Sequence, residues 1–353
     1  MKKRGNLKKL VALLAAVPLL ILGGAGILFS DELKIIRSIQ RVEQGKPIYF
    51  MEIKGDYYFE DLLKSGGVSS DREVSAFLAK KISKGFYSIN AKSVGPACSV
   101  LSGKTPEGGL IWGRNFDWKG SVPIIVKSLP ENGYASISTS DFQNITSSPD
   151  VVPEGIANQM LSIAALYVPM DGVNEAGLCV ADLQVNEGGM VAVDTDKPNL
   201  TVTTALRMLL NKAATVEEAI VRLKEYDIFA SGGISHHIAL SDASGKSVSV
   251  EFADGNIVAV DTNALTNFNL ANGDTAAGGQ SSKQRYEALN AIYEKNSGIL
   301  TGEQMTEALS QTAQRGEDQS TQWSIVYEQA SSLVTYYFDG DYAKPYRYSL
   351  SGS

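Results

Sequence analysis

Two apolar runs of β type, joined by a turn, carry charges that such runs do not hold without reason. The first opens as Cys98-Ser99-Val100-Leu101-Ser102, and the turn is Lys104-Thr105-Pro106-Glu107-Gly108-Gly109. The second is Leu110-Ile111-Trp112-Gly113-Arg114-Asn115-Phe116-Asp117-Trp118. This pattern predicts a β-hairpin, which returns Arg114 and Asp117 to the side of the strand that starts at Cys98. A thiol, a guanidinium and a carboxylate are then close together. A Cys alone in a strand is most often a core residue, and an Arg–Asp pair alone is an ordinary surface ion pair. It is their common position that points to chemistry. Just before the Cys, the small or turn-forming residues Gly95, Pro96 and Ala97 leave the bond between Ala97 and Cys98 accessible.

The totals exclude several classes of function. A chain of 353 residues, 44% hydrophobic, has room for one large domain or two small ones. Its net charge is −7, and no Lys/Arg-rich block lies beyond the N-terminus, which argues against nucleic acid as a partner. Two cysteines, Cys98 and Cys179, make no disulfide framework, and two histidines leave no zinc-ligand set. No cofactor is called for, and the composition leaves a homo-oligomer open.

Lys2, Lys3, Arg4, Lys8 and Lys9 precede an apolar run from Leu10 to Phe29. Twenty helical residues span about 30 Å, the thickness of a bilayer core. Positive charge ahead of the run predicts that the remainder is exported. A cleaved signal peptide and a retained membrane anchor both fit residues 1–29. Residues 30–97 read as a folded pro-segment of mainly helical pattern. Leu33, Ile35, Ile36 and Ile39 follow Asp31-Glu32, and Ser70-x-x-Glu73 is a capping box ahead of Val74, Phe77, Leu78 and Ile82.

After the hairpin a strand is predicted over 122–129, and the Ser/Thr/Asp-rich stretch 139–155 reads as a loop. Residues 161–168 look strand-like, 171–177 read as a turn, and 178–184 return as a strand. Two helices follow near 203–212 and 216–225, the second opened by Thr215. A meander covers 237–260, and helices follow near 282–294 and 302–314. Strands near 322–329 and 333–338 close the chain. Antiparallel strand groups flanking helix pairs predict layered α+β packing.

Cys98 followed by Gly113-Arg114-Asn115-Phe116-Asp117 resembles the cysteine N-terminal-nucleophile hydrolases, in particular the choloylglycine hydrolase family of linear amide hydrolases and its acid-ceramidase-like relatives. Leu265-Thr266-Asn267 and Ser281-Ser282-x-x-Arg285-Tyr286 match further stretches of the family pattern, the latter with altered spacing. The resemblance implies a four-layer αββα sandwich over residues 98–353. It also implies self-cleavage after Ala97, with the Cys98 thiol attacking the Ala97 carbonyl. An N-terminal Cys then serves as nucleophile and base together, because its α-amine, with a reference pKa of about 7.7–8.0, can take and return the thiol proton. Arg114 would favour the thiolate, Asp117 would orient the α-amine, Asn267 would donate to the oxyanion, and Arg285 would complete the polar cluster.

One departure concerns Asp182-Leu183-Gln184, where bile-salt and penicillin hydrolases carry Gly-Leu-Asn. Gln184 is the expected substrate or oxyanion contact there. Cys179, His236 and His237 read as structural. The resulting expectation is hydrolysis of linear amides (N-acyl amides, bile-salt conjugates or penicillin V), with a small-molecule substrate and the chain's own pro-segment as partners. Acyl transfer on the same fold, or a silent envelope-associated binding protein, are the alternatives.

Overall fold

The computed structural model describes residues 28–85, 97–146, 148, 150–185, 190, 194–253, 255–271 and 279–350. Nearly all of the apolar run 10–29, together with Gly95 and Pro96, lies outside them. Among the described residues no helix is long and apolar enough to cross a membrane.

The chain runs through α1 (Ser30–Arg37), β1 (Gln40–Arg41), β2 (Tyr49–Lys54), α2 (Phe59–Lys64), α3 (Asp71–Lys81), β3 (Ala97–Lys104), β4 (Leu110–Trp118), β5 (Pro123–Leu129) and β6 (Ser136–Asp141). Next come α4 (Gln143–Thr146), α5 (Gly155–Ser162), a 3-10 turn (Ile163–Tyr167), β7 (Asp171–Asn174), β8 (Cys179–Gln184), β9 (Asn199–Thr201), α6 (Val202–Lys212), α7 (Val216–Leu223) and β10 (Asp227–Phe229). The last third holds β11 (His236–Ser241), β12 (Ser247–Ala253), β13 (Asn256–Asp261), β14 (Ala264–Leu265), α8 (Gly279–Lys295), α9 (Gly302–Thr312), β15 (Ser320–Glu328), β16 (Leu333–Phe338) and β17 (Tyr346–Ser349).

Two sheets form the centre. One has nine strands in the order β1-β2-β5-β6-β7-β8-β11-β12-β13, and the other has six in the order β14-β3-β4-β15-β16-β17. Period-two alternation gives each sheet two faces. Cys98, Val100, Trp112 and Phe116 from one sheet share a core with Ile125, Ile137, Cys179, Ala181 and Leu183 from the other. The outer face of the nine-stranded sheet packs Val126, Val180 and Ile238 against Leu206 and Leu209 of α6 and Ala219 of α7. The outer face of the six-stranded sheet packs Leu101 and Ile111 against Leu289 of α8 and Met305 and Leu309 of α9. Gly113 permits that last contact, because a Cβ there would meet Met305 Sδ at 2.5 Å. Helices thus cover both outer faces of a two-sheet sandwich, an α+β architecture.

The structure corrects several expectations. The segment before Cys98 is not only helical: β2 pairs in parallel with β5, so the segment completes the nine-stranded sheet. It also reaches the second sheet, with Phe50 stacked on Tyr348 at 5.2 Å between ring centroids. Lys344 donates to Glu43 at 2.6 Å. The stretch read as a loop from 139 begins inside β6. Ser140 misleads because it is buried and bonded: its Oγ donates to the Ala165 and Val168 carbonyls at 2.7 and 2.8 Å. Residues 161–168 are the end of α5 and a 3-10 turn, not a strand. A short continuous apolar run does not distinguish a buried helix from a buried strand. Asp171–Asn174 is strand β7, not turn. In α3, Ser70 Oγ accepts from Glu73 N at 3.3 Å, and the Glu73 carboxylate reaches one residue further back, to Ser69 N at 2.7 Å.

Candidate active site

The hairpin register decides which side chains meet. Cys98 lies opposite Phe116, and Val100 opposite Arg114. Alternation therefore turns Cys98 and Arg114 to the same, inter-sheet face. Arg114 Nη2 donates to Cys98 Sγ at 3.0 Å, and both residues are fully buried. Burial pushes the thiol up to about 11, with Arg114 acting against the rise. Asp117 stands an odd number of residues from Arg114 and faces the helical layer instead. There it accepts from Thr321 Oγ1 at 2.5 Å and Gln314 Nε2 at 3.1 Å. Burial raises its carboxyl, opposed first by Arg285.

The guanidinium is seated where the opposite sheet comes apart. The β7–β8 ladder ends at Asp171 opposite Ala181, with one further bond from Asp182 N to the Met170 carbonyl at 2.9 Å. Past that point the ladder offers no further strand-to-strand donors, and buried carbonyls take theirs from side chains. Arg114 supplies two, through Nη1 to Met170 O at 2.6 Å and Nη2 to Asp182 O at 2.7 Å. Asn267 Nδ2 supplies another, to Gln184 O at 2.9 Å. Polar groups of the six-stranded sheet and its edge thus complete the broken edge of the nine-stranded one.

The counter-ion of Arg114 on this face is Asp171, bonded through Nη1 and also held by Trp323 Nε1 at 2.9 Å. Burial raises the Asp171 carboxyl, with Arg114 pulling it down. For Arg114, burial acts downward, but Cys98 and Asp171 outweigh it and leave the group above its ordinary value. Phe116 and Trp323 stack at 3.7 Å beside the guanidinium. Sequence reasoning missed Asp171, which looked like a turn residue. The available signal was Arg114 itself, because a cation kept fully charged inside an apolar strand calls for a buried counter-charge.

Asn267 and Arg285 approach from the edge of the six-stranded sheet. Asn267 follows β14, and its N–H donates to Ser282 Oγ of α8 at 2.8 Å. Arg285 is one helical turn after Ser282. Its Nη1 donates to the Cys98 carbonyl at 2.5 Å and its Nη2 to Asn267 Oδ1 at 3.0 Å. Arg285 Nη1 also lies 3.7 Å from Asp117 Oδ2. Burial lowers Arg285, with Asp117 and then Cys98 opposing. The Cys98 N–H donates to Asn267 Oδ1 at 2.9 Å. One residue is therefore held at its nitrogen by Asn267, at its carbonyl by Arg285 and at its sulfur by Arg114.

The structure brings Cys98, Arg114, Asn267 and Arg285 into one cluster, with Asp117 joined to it through Arg285. Ala97 is half-buried opposite Asp117. Gln184 contributes its main-chain carbonyl. An immobilised thiol beside a cation, with an amide side chain at its backbone nitrogen, suits nucleophilic attack on an acyl carbon.

Residues 98–272 match the linear amide C–N hydrolases, choloylglycine hydrolase family. Penicillin V acylase from Agrobacterium tumefaciens is 19% identical, covering 68% of this chain and 83% of that one, with a TM-score of 0.49. A variant of conjugated bile acid hydrolase from Clostridium perfringens is 17% identical over 72% of this chain and 92% of its own, with a TM-score of 0.53. A second variant of that hydrolase gives 17%, 71%, 92% and 0.53. At that identity the likeness to the two variants establishes a shared fold. No curated protein matches the chain.

Proposed function

The chain belongs to the linear amide C–N hydrolases of the choloylglycine hydrolase family, and from that premise we propose that this amidohydrolase cleaves N-acyl amides through a thioester on Cys98, after breaking its own chain between Ala97 and Cys98. In maturation the Cys98 sulfur adds to the Ala97 carbonyl carbon, and the C–N bond breaks as the thiol proton passes to nitrogen. Water then hydrolyses the thioester, leaving a free α-amine and thiol on Cys98.

In turnover the α-amine takes the thiol proton and sulfur attacks the substrate carbonyl. The leaving amine receives that proton as the C–N bond breaks, and water releases the acid. Arg114 stabilises the thiolate. Asn267 Nδ2 donates to the oxyanion, a contact worth roughly 10²–10³ in rate. Arg285 holds the Cys98 carbonyl, and Asp117, beside residue 97 in the register, orients the new amine. The observation that carries this reading is the grip on Cys98 at nitrogen, oxygen and sulfur by three different side chains.

Residues 30–97 act as a pro-segment that remains as a subunit after the cut. Ile35, Met51, Ile53, Phe59, Leu62, Val74 and Leu78 lie in a core shared with α6 and α7, which supports retention. The basic flank and apolar run 1–29 support export, either by a cleaved signal or with the site tethered at a membrane surface. Amphipathic amides concentrate at such a surface, since each buried methylene contributes about 0.8 kcal/mol. The proposed preference is therefore for flexible aliphatic acyl chains over rigid steroid conjugates.

Intact-mass measurement of protein lacking the apolar run tests the maturation. Wild type is expected to yield fragments ending at Ala97 and beginning at Cys98, while Cys98→Ala stays whole; cleavage of that variant would assign the cut to another protease. The substrate preference is read from kcat/KM for N-lauroylglycine beside glyco- and tauro-conjugated bile salts. A bile-salt value tenfold above the aliphatic amide would reverse it without touching the Cys98 chemistry.

A further inference from the structure

We propose that His236, held as an imidazolium, is a positioning residue for the Cys98 site, because it locks Asp182, whose main-chain carbonyl seats Arg114. The inference rests on the Cys98 reaction proposed above but concerns groups that reaction does not use.

Both ring nitrogens of His236 face acceptors. Nδ1 lies 2.7 Å from Asp182 Oδ1, and Nε2 lies 2.7 Å from the Ser231 carbonyl. A neutral imidazole has a single N–H and can satisfy one of them. Only the doubly protonated ring donates to both. The side chains of His236 and Asp182 are 0% exposed, so solvent does not make up a lost bond. Without the second N–H, either the Asp182 carboxylate loses its donor or the Ser231 carbonyl keeps only a long 3.5 Å bond from Ile234 N; an unpaired buried acceptor costs roughly 1–3 kcal/mol, which favours keeping the second proton.

The pair acts on the site through the main chain. Cys179, Ala181 and Leu183 face the inter-sheet core, whereas Val180, and with it Asp182, faces the helical layer. The Asp182 carboxylate thus points away from the thiol. Its carbonyl, in the plane of the sheet, accepts from Arg114 Nη2, the same nitrogen that donates to Cys98 Sγ. Fixing Asp182 between Arg114 and His236 fixes the end of β8, including the Gln184 carbonyl that holds Asn267.

The charged groups around His236 come from several elements. Asp182 lies on β8, and Asp71 of α3 accepts from Gly232 N at 2.7 Å in the same loop as Ser231. His237 is the neighbour on β11 but faces the other way, and Arg114 and Cys98 lie beyond the Asp182 main chain. Burial acts downward on His236, yet Asp182 and then the Ser231 carbonyl and Asp71 outweigh it and raise it above its usual value. Burial drives His237 down to about 4, so it is neutral at physiological pH. A raised folded value means that stabilisation by the pair is complete below the ordinary histidine range and is lost as pH rises through the raised value. Above it, one acceptor is abandoned and the seat of Arg114 loosens.

The chain holds two histidines, so ring-¹⁵N NMR of histidine-labelled full-length protein, assigned with His237→Gln, reads each directly. The expected result is a doubly protonated His236 and a neutral His237 at pH 7. For turnover of N-lauroylglycine, an alkaline loss of kcat with little change in KM is expected. Asp182→Asn should move that limb down by about 1–3 pH units, and His236→Gln should remove the limb while lowering kcat. A singly protonated His236 at pH 7, or an alkaline limb unchanged in both variants, overturns the proposal. The NMR arm needs no substrate and no foldable variant of the pair, so failure of the substrate reading and failure of this proposal are distinguishable.

Discussion

Among the described residues two arginines are buried completely, one on each side of the nine-stranded sheet, and they are solved differently. Arg114 lies between the sheets, with the Asp171 carboxylate, the Cys98 sulfur and two main-chain carbonyls around it. Arg207, on α6, lies in the helical layer and donates to the Leu166 carbonyl at 2.9 Å, Ser136 Oγ at 3.0 Å and Ser138 Oγ at 2.6 Å. Its hydrogen-bond partners are neutral, and burial pulls it down to about 9, whereas Arg114 is held above its ordinary value. Neutral dipoles satisfy hydrogen-bond geometry without returning the solvation that a charge loses on burial. Arg207 sews the serine-rich strand β6 to a helix. Arg114 keeps a full charge beside a sulfur, which is what its proposed role at the thiolate requires. The cysteines repeat the contrast: burial raises both thiols, but Arg114 opposes the rise at Cys98, whereas at Cys179 the Asp242 carboxylate adds to it.

Substitutions can break or sharpen this contrast. The largest effect is expected for Arg114→Met, which strands Asp171 without its cation, costs about 3–5 kcal/mol of stability and abolishes turnover. Adding Asp171→Leu should restore much of the melting temperature and none of the activity. Recovery of activity in the double variant would make Arg114 another Arg207. Next is Asn267→Ala, expected to remove about 2.7–4 kcal/mol of transition-state stabilisation while the protein still folds; a kcat within threefold of wild type would take Asn267 out of the reaction. Arg207→Met should cost about 1–3 kcal/mol through acceptors left unpaired, with kcat/KM of the folded fraction unchanged. Inactivity of a well-folded Arg207→Met protein would dissolve the comparison. The smallest effect belongs to Cys179→Ala, under about 1.5 kcal/mol by denaturant titration. Peptide mapping after iodoacetamide treatment of matured protein should find label on Cys98 and none on Cys179.

Much of this was legible before the fold was seen. The β3–β4 hairpin, the meander β11–β13 and the helices α6 to α9 follow from patterns spanning about ten residues, where alternation or helical period is complete within the segment. The segments misread were those whose neighbours are remote. Strand β6 is polar because Arg207 and two distant carbonyls satisfy its serines. Strand β2 is recognisable only with β5 beside it, across a long separation in sequence.

For the site, the sequence by itself singled out Cys98 as the candidate nucleophile, the cation on the neighbouring strand and the two later stretches that carry Asn267 and Arg285, because each rests on a short motif. The expectation that Arg114 and Asp117 would stand together beside the thiol overlooked their odd offset, which in a strand puts two residues on opposite faces. Only the tertiary structure decided that Asp171 is the partner of Arg114, that the end of β7 exposes the carbonyls that seat it, and that Asp182 meets His236. Those pairings join residues tens of positions apart, and no local period records them. They are set where the two sheets close on each other, because there every buried charge and carbonyl must find a partner that the chain brings from elsewhere.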